Sequence, residues 1–154
     1  MLEPKARQQL AENLIVNVYA LGLAAERGAV PREDISALSR AADALLPRVA
    51  ADLEGLADDI ELRFMRSCEP GDWLDLLQLR SGLEFLFEVF PGRAEWVRSH
   101  VHPGAHDDQI RRRSHDYGYL QTTEIPPGMP QSHWWWWAPL EPGEDYPPGP
   151  VSAA

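Results

Sequence analysis

The stretch WLDLLQLRSGLEFLFEVF, residues 73–90, decides the fold class. Its leucines and phenylalanines recur at spacings of three and four, which is the period of one helical face. Further apolar residues cover much of the remaining circumference, so we expect a helix that is buried on most sides. Asp72 is a candidate N-cap, and Pro91-Gly92 ends the apolar run. The main stripe consists of Leu76, Leu79, Leu83, Leu86 and Phe90.

Two longer helices are predicted before this stretch. Residues 4–27 carry apolar side chains at helical spacing, and Gly28 can end that helix in the left-handed conformation. Pro31 suits a first helical position, and the stripe after it keeps its phase past Pro47, which predicts one kinked helix or two nearly collinear ones. The first helix has a main apolar stripe of Leu10, Leu14, Val18, Leu21 and Ala25 and a second apolar stripe of Ile15, Tyr19 and Leu23. The apolar stripe of the second helix is Ile35, Leu38, Ala42, Leu45, Val49, Leu53, Leu56, Ile60 and Phe64.

Weaker helical patterns follow, a short one over residues 94–101 and another over 106–120. No period-two apolar run is long enough to argue for a sheet. The sequence therefore predicts an all-α fold, a four- to six-helix bundle formed by residues 1–121. Eight of the fourteen prolines lie after residue 121, so we expect residues 122–154 to be an extended Pro/Trp-rich C-terminal tail.

The composition limits the classes of partner. The net charge is −10 over 154 residues, and such an acidic surface repels phosphate backbones and anionic membranes, so nucleic acid is a disfavoured partner. Cys68 is the only cysteine, which excludes an internal disulfide framework and agrees with a cytoplasmic location. The apolar run 14–25 is too short to span a bilayer, and the acidic Glu3 and Glu12 argue against a signal peptide.

Four adjacent tryptophans, Trp134, Trp135, Trp136 and Trp137, stand in the proline-rich tail. An indole buries roughly 150 to 250 Å² when it is covered, so we expect some surface to cover them. Adjacent side chains of an extended segment point to opposite sides, which predicts a two-sided strap. The tryptophans are covered by the chain's own bundle, by another subunit, or by a carbohydrate or other ligand stacked on the rings, and the sequence leaves these alternatives open. On another subunit, the partner-binding residues would be Trp134, Trp135, Trp136, Trp137, Met129 and His133.

Histidine and aspartate cluster between residues 100 and 116. Imidazole and carboxylate are usual ligands of zinc, iron and manganese, so a transition-metal site is one interpretation. Two histidines two positions apart on a helix point about 200° away from each other, and they converge only if the chain turns between them. The plainer interpretation is a solvated helix end whose aspartates balance nearby arginines. The candidate metal ligands are His100, His102, His106 and Asp107, and no other cofactor is predicted.

The basic run Arg111, Arg112 and Arg113 is unusual in so acidic a chain. It predicts either a salt-bridged helix face or a patch for an anion or an acidic partner. Cys68 has no neighbouring histidine that would activate it as a nucleophile, and glycine-rich phosphate loops and nucleophile elbows are missing from the sequence.

These patterns favour a non-enzymatic accessory or adaptor subunit of a larger protein assembly, docking through its C-terminal tail. Another protein subunit, in a hetero-complex, is the expected partner. One alternative is a metal-binding helical protein or metal-dependent enzyme that uses the histidine–aspartate cluster. The other is the small subunit of a nucleic-acid-associated complex, with the arginine run and the tryptophans as its contacts.

Overall fold

The computed structural model describes residues 3–66, 70–89, 98–99, 101–117 and 122–137. Within these ranges the chain forms four long α-helices and no strand, so the predicted all-α bundle is confirmed. No helix of the described ranges is both long enough and apolar enough to cross a membrane. The elements are α1 (Pro4–Glu26), α2 (Arg32–Arg66), α3 (Pro70–Val89), α4 (Pro103–Tyr117) and two 3₁₀ turns, Thr122–Glu124 and Trp134–Trp137.

The end of α1 follows the prediction made for Gly28. Gly28 has a φ of 70°, its N–H donates to the carbonyl of Ala25 at 2.9 Å, and the Ala29 N–H donates to the carbonyl of Ala24 at 2.9 Å. This is the paired bonding of a Schellman motif, which glycine permits because it has no Cβ to clash at positive φ.

α2 agrees with one of its two predicted forms, whereas the start of α3 differs from expectation. α2 continues through Pro47 as one helix, which is the single-helix form of the prediction. α3 begins at Pro70 rather than Trp73. Proline suits the first helical position, because the N–H group that it lacks would have no helical partner there. Cys68 lies outside the described residues. Of the predicted helix over 94–101, the structure describes only residues 98, 99 and 101, and these three are helical.

The second predicted stripe of α1 is buried along its whole length, whereas the main predicted stripe is buried only in part. Ile15, Tyr19 and Leu23 are buried, and so is Val18 of the main stripe, but Leu10, its first residue, is 54% exposed. The choice of Leu10 as a core residue was therefore wrong. Spacing alone could not decide between the stripes, because both have the helical period and the neighbouring helix selects one of them.

Close contact between α1 and α3 explains that selection. A Cβ on Gly82 of α3 would lie 2.5 Å from the Ile15 carbonyl oxygen, and a Cβ on Gly22 of α1 would overlap the Phe85 ring. Each glycine therefore removes a side chain where the other helix must approach. This packing turns the Ile15 side of α1 towards the core and leaves Leu10 in solvent.

The core of the bundle extends into residues that follow the helices. Ile125, Met129, Trp135 and Trp136 are buried together with the apolar residues of the helices. The domain boundary after residue 121 stays a prediction, but these side chains and those of the helices share one core. Of the predicted tail, residues 138–154 lie outside the described residues. The helical part of the core is Ala11, Ile15, Val18, Tyr19, Leu23, Leu53, Leu56, Ala57, Ile60, Phe64, Trp73, Leu76, Leu77, Leu79, Leu83, Phe85, Leu86, Phe87, Val101 and Ile110.

Candidate functional site

A proline–glycine turn brings the chain back against the end of α1. The Met129 N–H donates to the Pro126 carbonyl at 3.3 Å, and Gly128 has a φ of 84°, as the third position of a type II turn requires. Arg27 ties this turn to the bundle, since its Nε donates to the Pro127 carbonyl at 2.6 Å. A Cβ on Gly128 would lie 2.8 Å from the Cγ of Arg27, so both the backbone angle and the available space favour glycine here.

The four tryptophans form one turn of 3₁₀ helix, Trp134–Trp137, which we call the tryptophan turn. The Trp136 N–H donates to the His133 carbonyl at 3.3 Å. The expected extended strap is therefore wrong for these residues. A 3₁₀ helix has three residues per turn, so its first and fourth side chains share one side. Accordingly, the outer two indoles are half-buried, whereas Trp135 and Trp136 are only 2% and 1% exposed.

The hydroxyl of Ser81, on α3, is the polar centre beneath the tryptophan turn. The indole N–H of Trp135 donates to Ser81 Oγ at 2.9 Å, and the indole N–H of Trp136 donates to the same atom at 2.8 Å. His133 Nδ1 lies 2.9 Å from it as well. Because Ser81 and His133 have no exposed surface, these bonds are closed to water, and each one satisfies a group that would be costly to bury alone.

The two indole bonds determine the tautomer of His133. A hydroxyl oxygen has two lone pairs and one proton, and the two indoles occupy both lone pairs. The Ser81 hydroxyl therefore donates its proton to Nδ1 of His133 at 2.9 Å, in preference to the sulfur of Met129 at 3.9 Å. Nε2 of His133 then carries the ring proton and faces Glu88 Oε1 at 3.5 Å.

Ser81, His133 and Glu88 have the composition of a hydrolytic triad but not its geometry. In such a triad Nε2 of the histidine faces the serine and Nδ1 faces the acid, which is the reverse of the arrangement here. The Ser81 hydroxyl is also enclosed, and both its lone pairs are occupied. The cluster is suited to fixing the tryptophan turn on α3 rather than to attacking a substrate.

Arg80 adds a charged layer beside this cluster. Its guanidinium is bidentate to Asp107 of α4, at 2.8 and 3.3 Å, and bonds Glu84 at 3.1 Å. The same group lies 4.1 Å from the ring centroid of Trp135 and is 4% exposed. An arginine buried this far is tolerated because each charge has a partner. Arg80 thus joins α3, α4 and the tryptophan turn.

Four of the six predicted partner-binding residues lie in the chain's own core: Met129, His133, Trp135 and Trp136. For these four the expectation of a partner-binding surface is corrected, because burial within this chain leaves them no surface to offer. The arrangement is the alternative in which the tail covers its own bundle. Trp134 and Trp137 keep part of their rings exposed, and the guanidinium of Arg111 lies 4.6 Å from the centroid of Trp134.

The three candidate metal ligands that the structure describes are not brought together. His102 is exposed with a φ of 52°, His106 is buried, and Asp107 is held by Arg80. Nowhere in the described part of the chain do three histidine, cysteine or acidic side chains group so as to hold a metal ion. His100 lies outside the described residues.

His106 instead forms a buried contact between α4 and α2. Its Nε2 lies 2.8 Å from the carbonyl of Ala57, so Nε2 carries the proton and donates it. Nδ1 is buried without a hydrogen-bond partner in the described structure. Burial lowers the pKa of His106; the bond to Ala57 opposes this shift, and the nearby Arg80 guanidinium adds to it. The ring is therefore held in its neutral form.

The three arginines of the basic run have separate environments. Arg111 bonds Asp108 at 3.4 Å in addition to its contact with the tryptophan turn. Arg113 donates to the Met65 carbonyl at 2.6 Å, in the last turn of α2, where helical carbonyls lack helical partners. Arg112 is exposed. Arg111 and Arg113 therefore support the packing of the chain, and the predicted anion patch stays a prediction.

Two clefts lie where α1, α2 and α3 meet. The α2–α3 cleft has a volume of about 230 Å³, and the α1–α3 cleft has a volume of about 440 Å³. Arg63 lines both of them, donates a hydrogen bond to Glu12 at 3.0 Å and forms an ion pair with Asp59 at 3.8 Å. The α2–α3 cleft is lined by Asp59, Leu62, Arg63, Arg66, Asp72 and Leu76, and the α1–α3 cleft chiefly by Glu12, Asn13, Val16, Arg63, Asp75 and Leu79.

Comparison of the chain with protein-family models, curated proteins and solved structures finds no match. Functional inference therefore rests on the geometry of the chain itself. Arg80, Ser81 and Glu88 were not predicted as site residues. The adjacent polar pair Arg80 and Ser81 inside the most apolar helix is nevertheless a signal in the sequence, because buried polar groups need partners.

Proposed function

We propose that the chain is a non-enzymatic accessory or adaptor subunit of a larger protein assembly. The observation that carries the proposal is the pair of clefts, where Val16 and Leu62 remain 44% and 45% exposed. A partner that covered these side chains would gain about 25 cal/mol for each Å² of apolar surface removed from water. Leu10 and Met65 are further large exposed hydrophobic residues of the same two helices, and neither of them lines a cleft.

The tail has a structural role in this proposal. Its tryptophan turn is bonded to Ser81 of α3 and stacked on Arg80, and its preceding turn is bonded to Arg27 at the end of α1. These contacts hold the helices in a fixed arrangement. A rigid body of this kind can offer a pre-formed surface, which lowers the entropic cost of association. Docking is accordingly assigned to the clefts rather than to the buried indoles.

Purification of the native complex tests the proposal. The full chain is tagged and recovered from its native cells as wild type, as Val16→Ser/Leu62→Ser, and as Leu10→Ser. Leu10 is the matched control because it is equally exposed on α1 but lines neither cleft. We expect one set of proteins, identified by mass spectrometry, to co-purify with the wild type and the control but not with the cleft variant.

Two results would overturn this function. One is a wild-type chain that runs alone as a monomer in a native extract and recovers no other protein. The other is a cleft variant that recovers the same set in the same amount as the wild type. Far-UV circular dichroism of each variant checks that the helices are intact. We expect them to be intact, because the substituted side chains are exposed and substitutions at exposed positions usually change stability little.

A further inference from the structure

We infer that the two clefts together bind a basic amphipathic helical segment of a partner protein. The inference rests on the proposed adaptor function and gives the chemistry of the partner that the adaptor takes. It follows from three features of the clefts: their apolar floor and walls, the sign of the charge around them, and the position of Arg63 between them.

The apolar features favour a side chain of leucine size in each cleft. Leu76 and Leu79 are buried and form the floor, while Leu62 and Val16 stand half-exposed at the walls. Both floor residues are on α3, three positions apart, so they lie on one side of that helix. A helical segment presents its own apolar residues at the same spacing, and this is how amphipathic helices fill hydrophobic grooves.

The charges around the clefts select a basic segment. Their lining carries four carboxylates and two guanidinium groups, a net charge of −2, within a chain of net charge −10. Asp72 and Asp75 are both exposed, and neither takes part in an ion pair among the residues that the structure describes. Complementary charge raises the rate and specificity of association, and an acidic segment or a nucleic acid would be repelled.

Arg63 does not cancel this preference, although it stands between the clefts. Its guanidinium is already bound by Glu12 and Asp59, which come from α1 and α2 respectively. The positive charge at the junction is therefore balanced by carboxylates of the chain itself. Of the other charged residues that line the clefts, Asp72 and Asp75 are acidic and Arg66 is basic, so the lining as a whole keeps its net charge of −2.

A synthetic peptide is the probe. It has about 18 residues, with leucine on one helical face and lysine on the other, and a fluorescent label. A second peptide carries glutamate in place of every lysine. Fluorescence anisotropy measures the binding of each to the full chain, at about 0.05 M and at about 0.5 M salt. We expect the lysine peptide to bind with an affinity that falls as salt rises, and the glutamate peptide not to bind.

Charge-neutral variants locate the binding. Asp72→Asn/Asp75→Asn is expected to weaken the lysine peptide about three- to tenfold, as the loss of two exposed ion pairs implies. The matched control is Glu33→Gln/Asp34→Asn, which removes two exposed acidic charges from the first turn of α2, away from both clefts. We expect this control to stay within about twofold of the wild type, since screening at moderate salt removes distant charge effects.

The outcomes separate this inference from the proposed function. If the wild type does not bind the lysine peptide, or both double variants bind it equally, the basic-helix inference is overturned. If native partners are lost from Val16→Ser/Leu62→Ser but kept by Asp72→Asn/Asp75→Asn, the adaptor function stands and its partner is apolar rather than basic. If the peptide binds as expected and no native partner is recovered, the adaptor function fails while the chemistry of the clefts is supported.

Discussion

Substitution of Ser81 by alanine is the sharpest perturbation of the tryptophan turn, because it removes one oxygen atom. That oxygen accepts from two indole N–H groups and donates to Nδ1 of His133. Trp135 and Trp136 are at most 2% exposed, so water does not reach their N–H groups in the folded chain. Ser81→Ala therefore strands three polar atoms while leaving the apolar contacts nearly unchanged.

The expected loss of stability follows from those stranded atoms. A buried donor left without a partner costs about 1–3 kcal/mol, so the two indoles together cost about 2–6 kcal/mol. A water molecule in the space left by the oxygen would accept a hydrogen bond from one of the two indoles. The loss of stability would then lie in the lower half of that range. We expect about 3 kcal/mol, a large part of the roughly 5–15 kcal/mol by which a domain is stable.

Urea unfolding of Ser81→Ala, followed by tryptophan fluorescence and by far-UV circular dichroism, measures this loss. Ser132→Ala is the control, because Ser132 is an exposed serine of the same segment and its loss should change stability by no more than about 0.5 kcal/mol. A loss below about 1 kcal/mol in Ser81→Ala, with unchanged fluorescence, would refute the assignment of Ser81 as the polar centre beneath the indoles.

Two further predictions concern the tail as a whole and the buried ring of His106. Truncation after residue 121 removes four large buried side chains, each of which contributes about 1.5–3 kcal/mol, and their sum is of the order of the whole stability of a domain. We therefore expect the shortened chain to show no cooperative thermal transition by circular dichroism. A thermal transition like that of the full chain would show that the helices are stable without the tail. The pKa of His106 is lower in the folded chain than its value of about 6.5 in the unfolded chain, so below pH 6.5 the unfolded chain binds the extra proton. The contribution of His106 to stability is therefore fully present above pH 6.5. It is lost as the pH falls below that value, by at most about 1.4 kcal/mol per pH unit. His106→Gln keeps a donor for the Ala57 carbonyl without titrating, so its urea midpoint between pH 8 and pH 5 should fall less than that of the wild type, and parallel curves would contradict the assignment.

The helices could be predicted from the sequence because their apolar residues have a regular period. The left-handed cap expected at Gly28 ends α1, whereas Pro31, expected as the first helical residue, lies one position before the start of α2 at Arg32. The face that α1 buries could not be predicted in the same way. Leu10 and Ile15 belong to stripes of equal period, and the difference between them is made by Gly22 and Gly82, which allow α1 and α3 to approach. A glycine on each of two apolar helices signals close packing, but the partner of each glycine depends on tertiary structure.

The conformation of the tail was harder to predict. Its prolines favour an extended chain, yet the tryptophan turn is helical because His133 and Trp136 are drawn together by burial around Ser81. The surface that covers the indoles was undecidable from sequence, since an indole gains the same hydrophobic energy on its own bundle as on another subunit. Arg80 and Ser81 were the informative residues, because a polar pair inside a buried helix requires polar partners from elsewhere.

Ser81 and the cleft residues Asp72 and Leu79 lie on different sides of α3. At 100° per residue, Ser81 points about 180° away from Asp72 and about 160° away from Leu79. Arg80, which contacts Trp135, follows the cleft residue Leu76 by one helical turn. The tryptophan turn contacts Arg80 and Ser81, whereas other residues of α3 line the clefts, so a bound segment and the tryptophan turn do not compete for atoms. Any effect of Ser81→Ala on peptide binding must arise from loosening of α3 as a whole, because no residue of the clefts contacts the tryptophan turn among the contacts described. The free energies of the two changes should then add, as they do for independent sites, and an interaction energy above about 0.5 kcal/mol would mean that the tail and the clefts are coupled through the helix.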